Sequence, residues 1–173
     1  NRFYGYKQSP EGSEECEKLM DSKGKNRGKW KRDKYGQEFF GYKKNLDGSE
    51  EGKLFLNMIG FKYHNWKKKP DGSLECNLLK TKNGIKYHHW NKNPDGTEES
   101  KLLILPNGET VSDYKCYSYK DTNIFHNAII RGYLPIVKFA INKYKRSLTL
   151  KTKDGKSPLF LAYENNQKKV AGI

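Results

Sequence analysis

Hydrophobic and polar positions along the first two-thirds of the chain recur with a period of twelve. Glycines stand at positions 12, 24, 36, 48, 60, 72, 84, 96 and 108. Cutting after each glycine gives two kinds of block. One carries an aromatic ring at its sixth position: Tyr6, Trp30, Tyr42, Trp66 and Trp90. The other carries leucine there: Leu54, Leu78 and Leu102. From Gln37 onward the two kinds alternate, so the full repeat is 24 residues long. Near the start two aromatic blocks, 25–36 and 37–48, are adjacent, and the alternation slips once.

Each block closes on a turn signal such as Leu-Asp-Gly, Pro-Asp-Gly, Lys-Asn-Gly or Pro-Asn-Gly. Asp-Gly and Asn-Gly supply residues that accept positive φ, as tight hairpins require. Twelve residues less the turn leave a strand of about nine, near the ordinary upper range. The pattern predicts an antiparallel β-meander of about ten strands over residues 1 to about 118. A type I turn followed by a glycine bulge then fixes the register. Large rings face small residues: Tyr6 with Cys16, Tyr42 with Gly52, Trp66 with Cys76, Trp90 with Ser100. Beside them, Phe40 faces Leu54, His64 faces Leu78 and His88 faces Leu102. The opposite face pairs Lys7 with Glu15, Lys43 with Glu51 and Lys67 with Glu75. This arrangement predicts one apolar face and one charged face, the apolar face covered by curvature, another domain or a partner.

The 24-residue hairpin unit resembles MORN-type β-hairpin repeats in architecture. Phe40-Gly41-Tyr42 and the Pro-Asp-Gly ends at Gly72 and Gly96 carry the likeness. The family's Gly-x-Gly in the second strand is absent; Cys16, Gly52, Cys76 and Ser100 hold one small position only. The resemblance implies a structural or scaffolding role, in some cases at membranes, without catalysis.

After about Asp121 the pattern changes. Apolar residues at Ala128 and Ile129, then at Ile136, Val137, Phe139, Ala140 and Ile141, predict two short helices. Gly132 suits the end of the first and Pro135 the first turn of the second. This segment resembles ankyrin repeats. Asp154-Gly155-Lys156-Ser157-Pro158-Leu159-Phe160-Leu161-Ala162 follows the family's D-G-x-T-P-L-H-x-A opening. Ile124-Phe125-His126-Asn127-Ala128 sits one repeat earlier, and Gly132 with Ile136-Val137-Lys138 matches the stretch joining the two helices. The resemblance implies a protein-binding solenoid whose tip residues are Lys151, Thr152, Lys153 and Asp154. It also implies that His126 fills the family's structural histidine slot. The expected fold class is therefore α+β, with a β-hairpin repeat meander over 1–120 and about two ankyrin-like repeats over 121–173, cut from a longer protein.

Composition narrows the function classes. The chain has 173 residues with 34 Lys+Arg against 20 Asp+Glu, a formal charge of +14. Such a field attracts nucleic acid or acidic surfaces. Lysine outnumbers arginine 29 to 5, as AT-rich coding would also produce. Sequence-specific nucleic-acid readout leans on arginine, so the balance argues against it. No apolar run is long enough for a membrane-spanning helix. Cys16, Cys76 and Cys116 have no metal-type or redox-type spacing and point to free thiols in a reducing, cytoplasmic setting. A secreted effector or a virion component of an intracellular organism would also fit.

No nucleophile elbow, P-loop, dinucleotide fingerprint or zinc-protease helix occurs. His64 and His88, with Cys76, suggest a metal or acid–base group, but a metal site needs three or four converging ligands, and packing roles are expected. The expected function is non-enzymatic: a scaffold binding a protein partner, with no cofactor or metal. Candidate partner contacts are Trp66, Trp90 and the Lys151–Asp154 tip. The rival is nucleic-acid or anionic-surface binding through Lys67, Lys68 and Lys69, next to Trp66 and Trp90, together with Lys168 and Lys169. Self-association of the sheet into a filament or shell is a third reading.

Overall fold

A computed structural model describes residues 1–117 and 123–173. The chain forms two compact units, Asn1–Pro94 and Asp95–Ile173. The expected boundary at 120/121 falls outside the described residues.

The first unit holds β1 (Arg2–Tyr4), β2 (Lys7–Gln8), β3 (Glu14–Cys16), β4 (Lys18–Met20), β5 (Trp30–Arg32), β6 (Glu38–Phe40), β7 (Lys43–Lys44), β8 (Glu50–Leu56), β9 (Lys62–Lys68), β10 (Leu74–Lys80) and β11 (Lys86–Lys92). The second holds β12 (Glu98–Ile104), β13 (Thr110–Cys116), then α1 (Ile124–Arg131), α2 (Leu134–Lys143), a 3-10 turn (Lys145–Thr149), α3 (Pro158–Glu164) and α4 (Lys168–Ala171).

The turn that recurs every twelve residues sets the register. In one turn Asn45 N–H donates to the Ser49 carbonyl at 2.8 Å and Gly48 N–H to the Asn45 carbonyl at 3.1 Å. Gly48 lies at φ +87, open to glycine at no steric cost. Asp47 Oδ1 accepts from Ser49 N–H at 2.8 Å and from Ser49 Oγ–H at 2.6 Å. Asp71 with Ser73 and Asp95 with Thr97 repeat this pair of bonds. The hairpins then bring Trp66 opposite Gly52 and Cys76, His64 opposite Leu54 and Leu78, and Phe40 opposite Leu54. Lys7, Lys43 and Lys67 lie opposite Glu15, Glu51 and Glu75.

Two features differ from the sequence expectation. The regular strands are seven residues long, and the first, second and fourth blocks each split into two short strands. The face alternation also breaks in mid-strand. Tyr63 and Trp66 are both buried in β9, as are Tyr87 and Trp90 in β11 and Val111 and Tyr114 in β13. Asn65, His89 and Asp113, between those pairs, have φ of 50, 50 and 51. A left-handed residue turns the pleat over, so residues three apart share the core face. His64 and Leu78 are accordingly only half-buried, and Tyr63 and Leu79 take the core positions. Gly5 and Gly41 occupy the same block position at φ 66 and 65.

Rings form the continuous core of the first unit. Phe39 stacks on Phe55 at 4.7 Å, Phe55 on Tyr63 at 5.0 Å, and Tyr63 meets Trp90 at 5.5 Å. Each such pair contributes about 0.5–1.5 kcal/mol beyond the area it buries. In the second unit Asn127 and Tyr133 satisfy the outer edge of β13. Asn127 Nδ2–H donates to the Lys115 carbonyl at 2.9 Å, and Lys115 N–H donates to Tyr133 Oη at 3.0 Å.

The ankyrin expectation is overturned, and with it the α+β class: the structure is mainly β. The helices have 8, 10, 7 and 4 residues and do not form ankyrin-type helical repeats. The residues that carried the resemblance have local roles. Ser157 accepts from Phe160 N–H as an N-cap, Pro158 follows in the first turn, and Gly132 is a left-handed C-cap. Any short helix uses those devices. His126 is buried in the first turn of α1, where its Nε2 lies 3.0 Å from the Leu150 carbonyl oxygen.

Candidate interaction surfaces

Two surfaces emerge, one in each unit. In the first unit Trp66 and Trp90 are 2% and 3% exposed, so their rings belong to the core. Trp66 packs against the neighbouring strand only because Gly52 leaves room. A Cβ at position 52 would lie 2.7 Å from Trp66 Nε1. That indole nitrogen is buried without a hydrogen-bond partner. Another part of Trp66 lines a surface depression with Gly41, Lys43, Glu51, Lys53 and Lys67.

The lysine run proposed from sequence is largely compensated. Lys67 lies between Glu51 and Glu75 in the register, Lys68 opposite Glu50, and Lys69 Nζ is 3.9 Å from Glu75 Oε2. Opposite charges facing across strands are each worth roughly 0.2–1 kcal/mol to the sheet. Uncompensated charge collects at the other end of the same strands, at Lys62, Lys80 and Lys86. These lysines face one another across β9, β10 and β11. The clue is present in the sequence, since the blocks of Trp66 and Trp90 carry lysine second and the block between them carries it eighth. Only the register brings those positions together.

His64 stands beside these lysines. Burial, then Lys80 and Lys62, hold its pKa below the ordinary histidine value. Its Nε2 is buried without a hydrogen-bond partner. Burial pushes the Cys76 thiol up to about 12, which keeps it protonated and poorly nucleophilic. Among the described residues no group of three or more His, Cys, Asp or Glu side chains converges as a metal site would require.

The second surface is on α3. Pro158, Leu161 and Ala162 are buried, whereas Leu159, Phe160 and Tyr163 are 53%, 53% and 66% exposed. Beside them runs an apolar cleft of about 80 Å³ lined by Phe125, Ile129, Val137, Leu148, Leu159 and Ile173. Lys156 lies over the Phe160 ring at 5.9 Å and bonds Glu164 at 2.8 Å. The Lys151–Asp154 segment enters an exposed turn closed by Thr152 N–H donating to the Lys156 carbonyl at 3.0 Å. Lys168 and Lys169 are exposed on α4. Residues 121–173 carry ten Lys+Arg and three Asp+Glu.

No family model matches the chain, and no curated protein matches it. Among solved structures the chain is similar to the SAS-4 (dCPAP) TCP domain of Drosophila melanogaster, solved in complex with a proline-rich motif of Ana2 (dSTIL). The identity is 14%, over 63% of this chain and 88% of that one, with a TM-score of 0.16. It is also similar to the G-box domain of the microcephaly protein CPAP, at 16% identity over 66% of this chain and 98% of that one, with a TM-score of 0.12. Scores that low do not define a common fold. Among the described residues no helix is long and apolar enough to cross a membrane.

Proposed function

We propose that this chain is a non-enzymatic interaction protein that binds a protein partner through α3 and the cleft beside it. The observation that carries this reading is the exposure of Leu159, Phe160 and Tyr163 on one short helix. Contiguous apolar surface of this kind marks interaction sites, and aromatic anchors dominate binding energy. The cationic excess of residues 121–173 favours a segment with apolar anchors and acidic flanks. The three cysteines, all unpaired and buried, suit a reducing setting.

The filament reading is disfavoured by a specific contact. Asn127 and Tyr133 occupy backbone groups on the edge of β13 that edge-to-edge pairing would need.

The test is an NMR titration with an amphipathic peptide carrying leucine on one face and glutamate on the other. Shifts concentrated at α3 and at the residues lining the cleft are expected. F160S/Y163S should weaken binding by about tenfold or more. Equal binding by that variant, or shifts spread over the sheet instead, would refute this assignment.

A further inference from the structure

One row of side chains crosses the strands of the first unit, and its two ends are built differently. Strand by strand the row runs Glu14, Arg32, Glu38, Leu56, Lys62, Lys80, Lys86. At one end the signs alternate, and Arg32 reaches Glu14 at 3.2 Å and Glu38 at 3.4 Å. At the other end three lysines stand side by side. None of the three forms an ion pair among the described residues. Like charges directly opposite in a sheet are destabilising. The same repeat that places glutamate opposite lysine at the other end of these strands leaves this row uncompensated.

The neighbouring positions add to the contrast. His64, two residues from Lys62, shares its face, and its buried Nε2 has no hydrogen-bond partner. Lys82, in the adjoining turn, extends over Gly60, whose Cβ would lie 3.8 Å from the lysine Cβ. Glu38 is the nearest carboxylate along the row. It is separated from Lys62 by Leu56 and already accepts from Arg32 and from Trp30 Nε1.

We infer that Lys62, Lys80 and Lys86, with His64 and Lys82 beside them, form a binding site for a compact soluble polyphosphate. Adjacent strands are about 4.8 Å apart, so the three ammonium groups spread over roughly 10 Å. A single phosphate or carboxylate would neutralise one or two of them. Phosphates linked through shared oxygens carry several charges in one compact ion, enough to face all three flexible lysine side chains at once. Lysine serves as a point-charge partner for phosphate, and the row's lysine end has no arginine fork to read a base edge. This site lies in a different unit from the α3 surface and stands or falls separately from it.

The test is calorimetric titration of the whole chain with inorganic tripolyphosphate, at low and at near-physiological salt. One-to-one binding is expected. K62Q/K80Q/K86Q should lose about tenfold or more, while the charge-matched K67Q/K68Q/K69Q should bind as the parent does. Tripolyphosphate should raise the melting temperature of the parent but not of the strip variant. If the triple variant folds poorly, K80Q alone should still show a partial loss against K68Q. Equal losses in the two triple variants would make the binding a matter of total charge and overturn the assignment. Binding to single-stranded DNA or to phosphatidylserine vesicles without binding to tripolyphosphate would also overturn it.

Discussion

Single residues decide how the aromatic core and the outer face of the sheet coexist. Trp66 fits because its partner on one side is glycine and on the other is cysteine. A methyl group at position 52 would approach Trp66 Nε1 to 2.7 Å and the Phe40 carbonyl oxygen to 3.1 Å. Gly52→Ala should therefore destabilise the fold by about 1–3 kcal/mol through overpacking, read as a lowered urea midpoint. An unchanged midpoint would show that the indole moves aside freely. His64 makes a second residue-scale prediction. Its folded pKa lies below the ordinary 6.5, first from lost hydration and then from Lys80 and Lys62. The unfolded chain thus binds the proton more readily. Stability is full above the unfolded value and declines as pH falls through it toward the folded one. Thermal melts from about pH 7.5 to about pH 5 should show that decline, and His64→Gln should flatten it. The turn carboxylates Asp47, Asp71 and Asp95 are held below their ordinary 3.8, so their loss comes at more acid pH and is separable.

The element scale shows where the sequence speaks and where it does not. Every strand pair tested in the first unit follows the register that the glycine clock implies, because each turn holds a fixed number of residues and any slip would misplace a whole face. The reversal at the fifth block position was hidden. Asn65, His89 and Asp113 read as ordinary polar strand residues, and only the glycines at 5 and 41 mark the same site as left-handed. Asn and Asp accept that conformation better than most residues, and glycine better still. His89→Gly should consequently stabilise the protein by up to about 1 kcal/mol, with a smaller gain for Asn65→Gly. A fall in melting temperature for both would mean that their side chains contribute more than the backbone strain costs. The helical segment misled for the opposite reason. Its cap residues sit where sequence places them, but Ser157, Pro158 and Gly132 specify helix ends rather than a family. The α3 surface is half legible: Leu159 and Phe160 stand at motif positions in the sequence, but their exposure depends on which face of a seven-residue helix is buried.

At the scale of the whole molecule, a charge of +14 opposes the compact state by self-repulsion. How that repulsion is distributed matters more than its sum. Rows such as Lys43, Glu51, Lys67 and Glu75 cancel locally and should respond little to salt. Lys62, Lys80 and Lys86 do not cancel, and across about 5 Å their repulsion lies within one screening length at physiological ionic strength. Raising sodium chloride from about 0.02 M to about 0.15 M should therefore raise the melting temperature of the parent. The increase should be smaller in K62Q/K80Q/K86Q, which should also start from a higher value at low salt. In K67Q/K68Q/K69Q the starting value should drop instead, because Glu51 and Glu75 lose their partners. The two variants carry the same net charge, so any difference in sign between them reports arrangement alone. If both shifted the melting temperature in the same direction, the repulsion would be spread over the entire surface, and the lysine strip would have no distinct cost for a bound anion to relieve.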